Sequence, residues 1–254
     1  MSAASASGGR AGPAALRLAL DLAFTLAVPL TVLRPDLPGL PGGVGGWLGP
    51  VPAYLLASLV PAAYLLWSAL RARQVQAVTL LAAASALLHG ALAFWPLSGL
   101  AFAVKDSSGS LFLLLTSSVS LLIHRPLFGE VLRAALLPST PAERARLGAL
   151  LRHPAARQAC VRATRALQVK AVLVAGLNIL IKSQLVTAPF GSADFNAQLA
   201  HATTLMVPLA YLASAVTYSG AAWLARRGLQ RAAGRPLPLV MWGRPFWDAL
   251  NGSA

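Results

Sequence analysis

The chain has 254 residues, 57% of them hydrophobic and 11% charged, with a mean hydropathy of +0.66 and a net charge of +14. Soluble domains carry about 25% charged residues, so the composition excludes an ordinary soluble domain. The single cysteine, Cys160, excludes a disulfide framework and a cysteine-based metal site, and basic residues without an aromatic-rich binding motif argue against nucleic acid as a partner.

In chain order, residues 1–13 read as a small, polar, cytoplasmic tail. A first span over 14–33 carries Asp21 and Pro29 and has no small-x-small cleavage pattern, so it reads as a retained helix rather than a signal peptide. A Pro/Gly-rich loop, 34–50, precedes spans over 51–70 and 75–95. A fourth span, 108–123, ends at His124-Arg125-Pro126, and a fifth and sixth cover 167–186 and 199–224. Each run has about the length needed to cross a hydrocarbon core about 30 Å thick. Together they make an all-α, polytopic transmembrane domain over 14–227.

Between spans four and five, residues 126–166 form a helical insert. Thr140 and Glu143 have capping-box spacing around Pro141, so a helix is expected from there to about His153, with Pro154 opening another. Leu147, Leu150 and Leu151 share a face, with Arg144, Arg146 and Arg152 around its sides. That pattern suits a basic amphipathic helix on the inner membrane surface, or a cytoplasmic hairpin packed on the bundle. The tail over 228–254 is basic. Its Trp242, Phe246 and Trp247 suit interfacial anchoring, and otherwise the tail is expected to be disordered.

Arginine and lysine set the orientation. With the N-terminus inside, only Arg34, Lys105 and Lys182 fall outside, leaving 18 of the 21 basic residues in the cytoplasm. Both termini are therefore expected inside and the span number is six.

Catalytic motifs are missing from the sequence: it holds no GxSxG, HExxH or GxxxxGK[ST]. No enzyme activity, cofactor or metal is expected. Ionisable and polar groups within spans are the better candidates. Asp21 faces Arg17 and Arg125 as possible partners, either as a proton- or cation-linked site or as an ion pair locking two helices. Asn178 is expected to bond a neighbouring helix, and Lys182, one turn on, to snorkel outward. Lys105, Asp106, Lys182, Asp194 and His201 read as a solvated outer rim, the alternative being that they converge as an entrance vestibule. Arg144, Arg146, Arg152 and Arg157 form a basic surface for anionic lipid or partner proteins.

Asp21 and Pro29, the Arg71-Ala-Arg73 loop, and span four running from Ser117 to Arg125-Pro126-Leu127 resemble an uncharacterised bacterial integral membrane family related to the intracellular septation protein A group, over roughly residues 15–227. The resemblance implies a multi-pass inner-membrane protein that acts through contacts with envelope or division proteins and supplies no catalytic residues. The expected function is an organising scaffold. The competing expectation is a small transporter using Asp21, Arg125, Asn178 and Lys182.

Overall fold

A computed structural model describes residues 20, 23–34, 36, 37, 40, 41, 43–71, 77–136, 138, 140–238 and 244–251. Asp21, Arg17, Arg73 and Trp242 lie outside the described residues. A π-helical turn, Ala23–Ala27, leads into α1 (Val28–Leu33). In the Pro/Gly-rich loop, Asp36–Leu37 and Leu40–Pro41 pair as a two-residue antiparallel hairpin, β1 and β2. There follow α2 (Gly43–Leu48), α3 (Pro50–Arg71), α4 (Ala77–Ala93), α5 (Gly99–Asp106), α6 (Ser108–Leu122), α7 (Leu127–Leu136), α8 (Pro141–Arg152), α9 (Pro154–Leu185), α10 (Ala193–Ala233) and α11 (Arg244–Asn251).

Apart from that short hairpin, every element among the described residues is a helix. Among the described residues, two helices, α9 and α10, are long and apolar enough to cross a membrane, and α6 with α7 makes a third if that pair, bent by 99°, is one broken span. The segments 50–64 of α3 and 80–93 of α4 are shorter apolar helices. The runs expected over 51–70, 75–95, 108–123, 167–186 and 199–224 fall on α3, α4, α6, α9 and α10.

The antiparallel pair α9 and α10 is the spine. With 32 residues, α9 is about 48 Å long. It starts where expected, with Pro154 in its first turn and the His153 ring accepting the Ala155 N–H, and it continues without a break through the fifth apolar run. The α10 helix is capped by Ser192, whose hydroxyl accepts the Phe195 N–H, and ends at Gly234 in the left-handed conformation. Small side chains let the two approach closely: Ala156, Ala159 and Ala163 on α9 are buried, as are Ala221, Ala225 and Gly228 on α10. Outward-facing residues of the pair are apolar and exposed, including Val169, Leu173, Leu180, Leu209, Leu212 and Val216, as a lipid-facing surface requires.

One apolar core sits at each end of this spine. The first gathers Val32, Tyr54, Phe102, Val186 and Phe195, and the second Phe128, Leu136, Leu147, Leu167, Leu229 and Phe246. The second core decides between the two readings of the insert and corrects the expectation for the tail. The capping box of α8 forms as anticipated, with Thr140 Oγ1 accepting the Glu143 N–H and Glu143 Oε2 accepting the Thr140 N–H, both at 3.1 Å. Leu147 and Leu151 are buried in this core, and α8 packs on α9 and α10 rather than facing a lipid surface, so the insert is packed on the bundle. The tail is neither a surface anchor nor irregular over α11. Phe246, Trp247 and Leu250 are buried in the same core, and Trp247 Nε1 donates to the Leu136 carbonyl at 2.8 Å.

Candidate functional site

Polar chemistry gathers at both ends of α9. Near its C-terminal end, Lys182 Nζ donates to Asp106 Oδ2. Asn178 Nδ2 reaches the same carboxylate oxygen at 3.1 Å and Ser107 Oγ at 2.9 Å. This corrects the expected solvated rim. Lys182 is 5% exposed and Lys105 8%, so neither side chain snorkels. A buried ammonium is tolerated only when paired and hydrogen-bonded, and each has found its own solution. Lys182 takes the carboxylate. Lys105 donates to the Trp95 carbonyl at 2.7 Å and to the Tyr54 hydroxyl at 3.1 Å, with its charge between the Tyr54, Phe102 and Phe190 rings at 5.3, 5.3 and 5.8 Å from their centroids.

The short helix α5, unforeseen in the loop before span four, makes this possible. It carries Lys105 and Asp106 into the bundle, and successive helical side chains diverge by about 100°, so the two neighbours point to different partners. His89 Nδ1 lies 3.4 Å from Ser108 Oγ beside them. The cavity here, lined by Tyr54, Ser58, His89, Lys105 and Asp106, holds only about 10 Å³, room for one water at most. The cluster therefore ties α3, α5, α6 and α9 together. Asp194 and His201, expected beside it, are exposed and take no part.

The other end of α9 borders an open cleft of about 600 Å³ lined by His124, Arg125, Pro126, Gly129, Glu130, Arg133, Leu151, Arg152, Arg157 and Cys160. Its shape comes from the break between α6 and α7. The Arg125 N–H bonds the Ser120 carbonyl at 2.9 Å and the His124 N–H the Leu121 carbonyl at 3.1 Å. This is the Schellman arrangement, which places residue 124 in the left-handed region, normally glycine's position. Here it is His124, with φ +58°, alone among the described non-glycine residues in having a positive φ. The turn is then locked: Leu127 N–H donates to Ser120 Oγ at 3.0 Å, and Phe128 N–H to Thr164 Oγ1 on α9 at 3.1 Å. With these N–H groups satisfied, any anion in the cleft must be held by side chains.

Of the expected site residues, Asn178 and Lys182 meet in the buried network, while Arg125 lies with Arg152 and Arg157 in the cleft. Arg144 is exposed on α8 and does not line the cleft. Arg146 is engaged elsewhere, since its Nη2 donates to the Leu250 carbonyl at 2.7 Å and holds the end of α11. The sequence reading missed Asp106 as the partner of Lys182, and Arg133 and His124 as cleft residues. Among the described residues, no group of three His, Cys, Asp or Glu side chains is placed to hold a metal. No family, curated protein or solved structure matches this chain.

Proposed function

We propose that this chain is a non-enzymatic inner-membrane protein of six spans, with both termini in the cytoplasm, that organises envelope or division machinery through contacts of its basic face with anionic lipid and partner proteins. The observation that carries the reading is the convergence of arginines from three elements on one open cleft, at the end of the molecule that positive-inside counting assigns to the cytoplasm. An aromatic and basic pair nearby supports a membrane boundary there. Arg227 lies 3.9 Å from the Trp223 ring centroid. Between Asp194 and Arg226, α10 carries no Asp, Glu, Lys or Arg.

Crosslinking in the native membrane followed by mass spectrometry tests this. Recurrent capture of cell-wall or division proteins is the expected result, and capture of the chain alone would count against a scaffold. The buried Asp106–Lys182–Asn178 group favours one competing reading, a small ion-linked transporter. That reading requires Asp106→Asn to abolish flux in proteoliposomes while the protein still inserts and folds.

A further inference from the structure

The cleft holds more positive charge than its own residues balance. Arg133 is engaged by Glu130 at 2.5 Å. Arg125, from the turn after α6, Arg152, from the last turn of α8, and Arg157, from the first turn of α9, line the same space, and their guanidinium groups make no hydrogen bond or ion pair to another described residue. Three exposed like charges lining one concave surface focus a positive potential there and draw in an anion. Guanidinium groups present planar forks that match phosphate oxygens.

The volume, about 600 Å³, is that of a small-molecule site. His124 adds an imidazole at a position where glycine would be favoured. Beside it, Leu122 and Ile123 are 77% and 60% exposed, an apolar path from the cleft mouth for an acyl chain.

We infer that the cleft between α7, α8 and the start of α9 binds a phosphomonoester group, carried either by a lipid such as phosphatidate or by a small soluble molecule. This rests on the proposed reading of the basic end as anion-facing and adds the ligand class to it. A monoester offers three terminal oxygens and up to two charges to three unpaired arginines. A phosphodiester offers two oxygens and one charge, leaving two of the arginines unmatched.

The test uses the full chain in phosphatidylcholine nanodiscs, with retention of phosphatidate compared with phosphatidylglycerol by native mass spectrometry. Glycerol 3-phosphate is titrated calorimetrically as the soluble arm. The expected result is a preference for phosphatidate over phosphatidylglycerol. Changing Arg125, Arg152 and Arg157 together to Gln should weaken phosphatidate binding about a hundredfold. Changing Arg162, Arg165 and Arg231 to Gln, an equal loss of charge outside the cleft, should leave the preference in place.

The variant His124→Gly examines the cleft without risk to the fold, because glycine suits that backbone. It should bind phosphatidate about tenfold more weakly while unfolding at a higher temperature. Glycerol 3-phosphate binding as tightly as phosphatidate would identify a soluble ligand, and much weaker binding would identify the lipid; either result supports the monoester site. Equal retention of both lipids, with equal losses from the two triple variants, would overturn the site and leave only a diffuse basic face. Retention of neither lipid, together with no binding of glycerol 3-phosphate, would overturn the anion-facing reading as well.

Discussion

At the scale of single residues, the informative contrast is between two lysines buried in different ways. Lys105 is held by neutral acceptors and ring faces, Lys182 by a carboxylate. Removing one member of a buried ion pair strands the other charge, which costs about 3–5 kcal/mol, whereas replacing both with neutral groups costs far less. Lys182 is only 6% exposed as a side chain. Asp106→Asn is therefore expected to lower stability in detergent by about 3 kcal/mol, and Asp106→Asn with Lys182→Met to recover most of that loss. Thermal unfolding of the three proteins checks it. If the single and double variants unfold together, the pair contributes nothing as a pair. The sequence places Asn178 and Lys182 one turn apart on α9, and their shared direction is legible from that spacing. Their common partner is 76 positions away from Lys182. Asp106 reaches it only because α5 forms in a segment whose Pro96 and Gly99 read as loop, so local pattern had no means of announcing the contact.

At the scale of elements, the joint between α9 and α10 decides where the cleft residues stand, since Arg157 rides on the first turn of α9 beside it. A Cβ added to Gly228 would lie 2.4 Å from Ala159 Cβ and 3.0 Å from the Ala155 carbonyl oxygen. Those neighbours are backbone and the root of a side chain, so neither can swing away and the helices must separate. Gly228→Ala should then cost about 1–3 kcal/mol as an overpacking change, and Gly220→Ala, whose added Cβ would meet nothing within 4 Å, should cost nothing measurable. Differential scanning fluorimetry of both variants decides it, and equal melting temperatures would mean the joint is looser than the structure has it. The helices themselves were legible. Long apolar runs and the Thr140–Glu143 box encode their own helicity locally. Which face each helix turns inward was not. An Ala/Leu-rich span carries little amphipathic contrast, and the small-residue ridge of α9 looks, in sequence, like any other alanines.

For the whole molecule, the two polar sites are separated by about one hydrocarbon thickness. Cys160 at the cleft and Asn178 in the network are 18 residues apart on one continuous helix, about 27 Å at 1.5 Å per residue. A bilayer fitted between them leaves the cleft and α11 on one side and Trp47, Trp95 and Asp194 toward the other. Trp47 and Trp95 are 82% and 61% exposed, and Asn196 Nδ2 bonds the Pro50 carbonyl at 2.8 Å, tying the start of α3 to the start of α10. Labelling can therefore separate the six-span arrangement from one in which α3 and α4 only dip into the membrane. After Cys160→Ala removes the one native thiol, single cysteines are placed at 47, 95, 194, 73 and 231. The six-span arrangement requires an impermeant maleimide to label 47, 95 and 194 in intact cells, and 73 and 231 only after permeabilisation. If position 73 stays unlabelled in both conditions while 231 is revealed by permeabilisation, its loop is buried in lipid or protein. The pair α3–α4 is then a re-entrant hairpin, and the proposed topology of six crossings falls. If 231 labels in intact cells and 194 does not, the orientation inverts, and the arginine cleft would face away from the anionic cytoplasmic leaflet it is proposed to meet.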